Sequence, residues 1–217
     1  MSRQKRDFDT EAAAWDENPA RVKLAEDVAA AIVRQASPDA GMTALDFGCG
    51  TGLLTLRLAP RVRSIVGVDS SQGMLDVLAA KVAREKRTNV RTLRLDLDKG
   101  DRLPRPYDLI VSSMTLHHIE RIDSLLRQFH EALSRSGRLC LADLDSEDGQ
   151  FHGDNQGVFH FGFDRTSLRQ ALVDAGFEGV QDTTAAEVTK PARDGKLQSF
   201  SIFLMTGVKK GGSGDDR

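Results

Sequence analysis

The chain has 217 residues, of which 40% are hydrophobic and 29% charged, and its formal net charge is −2. That length suits one α/β domain with a sizeable core, and a near-neutral balance leaves no general electrostatic footprint for nucleic acid. The apolar runs are short and broken by charge, the opening MSRQKRDFDTE has no apolar stretch behind its charges, and Cys49 and Cys140 make neither a disulfide framework nor a Cys-x-x-Cys pair; a membrane span, a secretory signal and a disulfide scaffold are not expected, and a reducing, cytoplasmic setting is.

Near the start, FDTEAAAWDENPARV places Phe8 and Trp15 seven residues apart, on one face if helical. Val22, Ala25, Val28, Ala29 and Ile32 predict an amphipathic helix over about 19–35, stopped by the breaker SPDAG. TALDF at 43–47 predicts a strand that runs into a glycine-rich turn at 48–52 and then a helix over about 53–58. A second strand at 64–68 is closed by Asp69, and Ser70 or Ser71 can cap a helix over about 72–85. A third strand at 89–95 ends at Asp96, residues 101–106 form a polar, proline-bearing loop, and a fourth strand follows at 107–112. A helix over about 122–133 leads through Ser136-Gly137 into a fifth strand at 138–143. Residues 144–163, rich in glycine and aromatics and carrying His152 and His160, predict an irregular lid-like insertion. Asp164 caps a helix over about 166–175 with Gly176 at its end, strands follow at 177–188 and 197–208, and the Gly/Asp-rich tail at 209–217 is expected to be disordered.

Strands alternating with helices imply right-handed crossovers, hence a mainly parallel sheet covered on both faces. Such a sheet binds ligands beyond the carboxyl ends of its strands. One domain is expected over 1–208, with a helical cap over about 1–36 and the lid at 144–163; no repeat and no second domain is seen.

The strongest signal is LDFGCGTG at 45–52. Glycines permit positive φ and let a ligand approach the backbone, and the helix that follows presents free N–H groups. That logic serves dinucleotides, phosphates and other adenosine-containing ligands alike. The dinucleotide fingerprint needs Gly-x-Gly-x-x-Gly, but Leu53 occupies its third position; the Gly-Lys-Ser/Thr ending of a phosphate loop is also missing.

The turn resembles the first motif of the class I S-adenosylmethionine-dependent methyltransferases. VGVDSSQGML at 66–75, LRLDLD at 93–98, YDLIVSSMTLHHI at 107–119 and SGRLCLAD at 136–143 resemble the later motifs, in order and each at a strand. The resemblance implies a Rossmann-like three-layer sandwich whose seven-stranded sheet ends in an antiparallel strand. It implies S-adenosyl-L-methionine as cofactor, held by Gly48, Gly50 and Gly52, with Asp46 near the methionyl amino group, Asp69 on the ribose and Asp96 on the adenine amino group. Leu97 would supply backbone contacts, Ser70 and Met74 would flank ribose and adenine, and Ser112 and Ser113 would open the fourth strand toward the ligand. Each has a plainer role available: Asp69 as a helix cap, Asp46 in the turn, Met74 as helix core. Cys49 has no base in sequence reach and is taken as structural.

His117 and His118 follow the fourth strand, where this fold faces the transferable methyl group; one of them is expected to act as a base or to orient the acceptor. Trp15, His152 and His160 are expected to wall the acceptor site. Two histidines and Asp154 suggest a metal, but their spacing matches no standard motif, so none is assigned. The run Ser112-Ser113-Met114-Thr115 lacks the Asn/Asp-Pro-Pro-Tyr pattern of many amino-group methyltransferases. The expected acceptor is a small molecule methylated on oxygen or sulfur by SN2 displacement, with no nucleic-acid or membrane partner. Two other readings share these residues: a non-catalytic protein that binds S-adenosylmethionine or S-adenosylhomocysteine, and a nicotinamide oxidoreductase. Oligomeric state has no sequence signal.

Overall fold

The computed structural model describes residues 6–104, 106–192 and 194–210. The alternating apolar runs become seven strands: β1 (Thr43–Phe47), β2 (Ser64–Asp69), β3 (Val90–Arg94), β4 (Tyr107–Ser113), β5 (Leu133–Leu144), β6 (Phe177–Pro191) and β7 (Leu197–Lys209). They form one sheet in the order β3-β2-β1-β4-β5-β7-β6. The strands from β3 to β5 pair in parallel, and β7 alone inserts antiparallel, between β5 and β6. The chain winds from β1 toward β3, then returns to place β4 on the other side of β1. Connections diverge at that switch, and a crevice opens above it.

Among the described residues six α-helices cover the sheet: α1 (Phe8–Glu11), α2 (Pro19–Ala36), α3 (Leu53–Leu58), α4 (Gln72–Arg84), α5 (Ile122–Ala132) and α6 (Arg165–Asp174). Their starts follow capping chemistry. The side chains of Asn18, Ser71 and Asp164 accept from Ala20, Met74 and Ser167 N–H groups, and Pro19 supplies a preset φ at the first turn of α2. Strand alternation divides the interior in two. Ala44, Ile65, Leu109, Cys140 and Leu204 pack under α2, α3 and α4, whereas Leu45, Ile110, Leu139, Phe203 and Met205 pack under α5 and α6. Each fully buried Leu, Ile or Phe contributes roughly 1.5–3 kcal/mol relative to exposure. No helix among the described residues is long and apolar enough to cross a membrane.

The differences from expectation lie at element ends. The predicted turn at Ser136-Gly137 lies inside β5: Leu133 pairs with Tyr107, and the register then shifts to Arg138 with Leu109 while Ser136 takes φ 61°. Strand β3 is confined to five residues, with only Val90 buried, as befits a sheet edge. Strand β6 continues past Val188 to Pro191 because β7 supplies partners down to Leu197. The N-terminal segment is not one helix: α1 gives way to a 3-10 turn, Ala12–Glu17. Of the expected tail, Lys209 closes β7, and its Nζ donates to Leu133 O at 2.8 Å; residues 211–217 lie outside the described residues.

The tightest joint sits between the glycine turn and α4. A Cβ added at Gly52 would lie 2.2 Å from Cδ1 of Leu78, at φ +83°. Gly100 has a similar φ, +87°, with nothing within 4 Å. Gly52→Ala is expected to cost about 2–4 kcal/mol in urea unfolding, against about 1 kcal/mol for Gly100→Ala. Equal losses would show that backbone strain, and not packing on Leu78, demands glycine at 52.

Candidate active site

Above the switch point lies a cavity of about 540 Å³, walled by the ends of β1, β2 and β4, the N-terminal segment and the 144–163 insertion. Its floor is the turn after β1. Gly48 and Cys49 N–H groups both donate to Val68 O, at 2.8 and 3.0 Å, which bends the chain back over β2. A Cβ at Gly48 would meet Oγ1 of Thr115 at 2.2 Å, whereas one at Gly50 would find only Met74 Sδ, at 3.9 Å. Gly48 is thus required by packing, and Gly50 leaves bare backbone facing the cavity.

The acid at the end of β2 ties this turn to the next one. Asp69 Oδ2 accepts from Gly50 N at 2.8 Å, and Oδ1 accepts from Ser71 N at 2.9 Å. Burial raises the Asp69 pKa, opposed by these backbone donors. Asp46 lies deeper, accepting at 2.6 Å from the Thr55 hydroxyl, and burial pushes its pKa up to about 7. Ser70, Met74, Asp96, Leu97 and Ser113 also line the cavity. Asp96 N–H donates to Asp101 Oδ2 at 2.9 Å, and Lys99 Nζ stands 3.7 Å from the Asp96 carboxylate.

Three expected site residues fall elsewhere. Ser112 is fully buried, and its hydroxyl donates at 2.8 Å to Phe47 O, stitching β4 to β1; strand alternation hands the cavity to Ser113. Gly52 packs on Leu78, away from the cavity wall. His160 turns away as well: Nε2 donates to Ile119 O at 2.9 Å and the ring rests on Phe163, while its neighbour Phe159 faces inward. Cys49 lies 7% exposed, and burial drives its thiol pKa well up, consistent with a packing role.

The N-terminal segment is latched over one side. Asp9 accepts from Ser71 Oγ at 2.5 Å and Gly73 N at 2.8 Å. Asp16 accepts from Thr51 Oγ1 at 2.6 Å and pairs with Lys81, whose Nζ also donates to Thr51 O. Trp15 lines the cavity, sandwiched between the Arg21 guanidinium at 3.6 Å and the Phe8 ring at 6.0 Å.

At the far end stand His117, His118 and His152. The backbone leaves β4 through Met114 at φ 55° into the 3-10 turn Leu116–His118. His117 Nδ1 donates at 2.6 Å to Oδ1 of Asp143, a fully buried acid near the end of β5. Burial alone would raise the Asp143 pKa, but His117 and the backbone N–H groups of Leu144 and His117 outweigh it and hold the pKa low. His118 Nδ1 donates to Gly157 O at 2.7 Å, and its ring lies edge-on to Phe8. Burial, reinforced by the neighbouring His117, pulls the pKa of His118 down to about 4 and that of His152 to about 3. Both imidazoles are neutral at neutral pH. Sequence reasoning missed Asp143, Asp9 and Asp16. An acid near the end of the strand beside β4 was a readable signal for the first; nothing local marks the other two.

Residues 45–139 match the family described as a methyltransferase domain. The chain is 39% identical over 120 residues to an uncharacterised methyltransferase of Schizosaccharomyces pombe, covering 52% of this chain and 42% of that protein. It spans about half the length of three such curated relatives, from 42% to 55%. Among solved structures, YcgJ of Bacillus subtilis superposes with TM-score 0.72 at 17% identity, over 85% of this chain and 99% of that one. A phosphoethanolamine N-methyltransferase of Haemonchus contortus in complex with S-adenosylmethionine superposes with TM-score 0.68 at 18% identity, over 84% and 52%.

Asp46 carries a pH signature. Its folded pKa stands raised from 3.8 to about 7, so its contribution to stability is full below pH 4 and is lost as pH rises through 7. Asp46→Asn, which cannot ionise, is expected to gain on the wild type between pH 4 and 8, by up to about 4 kcal/mol. Urea unfolding at stepped pH measures this; a difference that stays constant with pH would sink the assignment.

Proposed function

We propose, for a chain whose motifs, fold and domain match are those of a class I S-adenosylmethionine-dependent methyltransferase, that it transfers a methyl group to a small-molecule oxygen or sulfur acceptor. The observation that carries this reading is continuity: one cavity joins the glycine turn and its acids to a histidine-lined chamber. The residues fit S-adenosylmethionine. Gly50 leaves open space where a side chain would stand, and Asp69, which accepts from Gly50 N, lines the cavity beside that backbone and would take the ribose. Asp96 and Leu97 extend the same wall for the adenine, and Asp46 lies beneath the turn to face the methionyl ammonium.

When bound, the sulfonium supplies a methyl group already activated for transfer. The chain's own residues then hold the acceptor's heteroatom in line with that carbon and keep water out. In this reading the N-terminal segment is the cap, latched by Asp9 and Asp16, and residues 144–163 are the lid. Trp15 and His152 wall the acceptor, and His117 and His118 contact and orient it. Proton uptake on His118 or His152 is disfavoured at neutral pH, because burial depresses both pKa values. Their service is therefore positional, through unprotonated nitrogens. The absence of an Asn/Asp-Pro-Pro-Tyr pattern at 112–115 favours oxygen or sulfur over nitrogen, and a cavity of about 540 Å³ suits a small acceptor.

Calorimetric titration with S-adenosylmethionine and S-adenosylhomocysteine is expected to show micromolar binding of both. Asp69→Ala removes two charge-assisted hydrogen bonds at the turn and is expected to weaken both at least about tenfold. A screen of thiols and phenols, read as S-adenosylhomocysteine formed, is expected to yield the acceptor class. Unchanged affinity in Asp69→Ala, or stronger thermal stabilisation by NAD(H) than by S-adenosylhomocysteine, would overturn the reading.

A further inference from the structure

The three histidines at the end of the cavity are arranged in a way that packing alone does not explain. One ring nitrogen from each of His117, His118 and His152 lies within 4.8 Å of the others. The ring centroids stand 4.2, 5.0 and 5.7 Å apart. Two of the Nδ1 atoms are already engaged: His117 donates Nδ1–H to the Asp143 carboxylate, and His118 donates Nδ1–H to the Gly157 carbonyl. Those bonds orient both rings and leave each Nε2 outside the contact. The same pattern orients metal-ligating histidines, whose other nitrogen donates to a carboxylate or a backbone carbonyl. The third ring supplies an independent sign. His152 Nε2 is buried and has no hydrogen-bond partner among the described residues, an arrangement that is unfavourable unless something satisfies the nitrogen.

We propose that His117, His118 and His152 together bind one divalent transition-metal ion, and that this ion offers an open position to the acceptor's oxygen or sulfur. The second clause rests on the methyltransferase reading above; the first does not. Three imidazoles suit zinc, iron, cobalt, nickel or copper, and three protein ligands leave a coordination position for an exogenous one. Nitrogens bound to a common ion at about 2.1 Å stand roughly 3.4 Å apart in tetrahedral geometry, so the site, with nitrogens within 4.8 Å of one another, must tighten by up to about 1.4 Å. His152 can supply that movement, since it sits in the glycine-bearing insertion between Gly149 and Gly157, both at positive φ.

Asp143 stands behind His117 and offsets one unit of the ion's charge. Arg6, ion-paired with Glu11 at 2.6 Å, and Lys190, seated over the Phe151 ring, also line the cavity. The expectation of no metal rested on spacing along the chain. The fold draws this ligand set from two segments 34 residues apart, where no local motif could show it.

The test uses full-length protein with its purification tag removed, stripped by chelator and titrated with cobalt(II). We expect one ion per chain, with the visible absorption of nitrogen-bound cobalt, displaced by zinc. His152→Ala and the double variant His117→Gln/His118→Gln are expected to lose at least 100-fold in affinity. Asp143→Asn, a positioning change, should lose 10- to 100-fold, and His130→Gln, remote from the site, should lose nothing. Mercaptoethanol added to the cobalt form is expected to produce a thiolate-to-cobalt charge-transfer band. Far-ultraviolet circular dichroism accompanies each variant, so that loss of folding is not mistaken for loss of ligands. A folded wild-type protein that takes up no cobalt, or a His152→Ala protein that keeps the full spectrum, would overturn the site. Absence of the charge-transfer band would overturn its open position. Calorimetry with S-adenosylmethionine on the stripped protein separates the two readings: cofactor binding without metal uptake removes only this inference, whereas metal uptake without cofactor binding removes the methyltransferase reading.

Discussion

Everything at the ligand end of this molecule hangs on the turn that follows β1. Gly48, Gly50 and Gly52 all adopt positive φ, yet for different reasons. Gly48 has Thr115 against it and Gly52 has Leu78 against it, so those two glycines seat the turn between the loop after β4 and helix α4. Only Gly50 faces open space. Two glycines are structural so that the third can present bare backbone. Asp69 then locks the arrangement by accepting from Gly50 N while its other oxygen holds the start of the next loop. The N-terminal segment uses the same two loops as its anchor, through Asp9 on Ser71 and Gly73 and Asp16 on Thr51. Disturbing the turn would therefore loosen the cap as well as the floor.

The frame of the protein was legible because two-residue and 3.6-residue periods are local properties. The sheet order follows once crossovers are right-handed and the motifs are placed at strand ends. Legibility fails where tertiary partners decide. Ser112 and Ser113 are chemically alike, and only the parity of β4 against β1 separates a sheet stitch from a cavity wall. His160 looked like His152 in a glycine-rich run. Phe159 lines the cavity and His160 does not, and the second histidine braces the insertion against Ile119. Gly52 looked like its two companions in the turn until Leu78, 26 residues later, was packed against it. Ser136-Gly137 looked like the end of a connection, but Leu133 already pairs with Tyr107, and the two residues become an irregularity within β5.

Burial shapes the two ends of the cavity in opposite chemical senses. At the turn it raises the pKa values of Asp46 and Asp69, because a desolvated carboxyl resists ionising. At the far end the same desolvation lowers the pKa values of His118 and His152, because a desolvated imidazole resists protonation. One end thus stores acids that gain from a cationic ligand, and the other stores lone pairs that gain from an electrophile. Asp143 is the exception that orders the second end. It too is fully buried, but the charge of the neighbouring His117 and hydrogen bonds from His117 and Leu144 keep its pKa low. The carboxylate behind His117 holds the ring by Nδ1 and fixes its orientation.

That division explains why the insertion and the N-terminal segment meet where they do. Phe8 from the segment lies edge-on to His118, and Gly157 from the insertion accepts the His118 Nδ1 proton. His118 is therefore touched by both covers and belongs to neither. The carbonyl that orients its ring comes from the element that also delivers His152, so seating the insertion and orienting the imidazole are a single event. His118 thus joins the N-terminal segment and the insertion at the loop that follows β4.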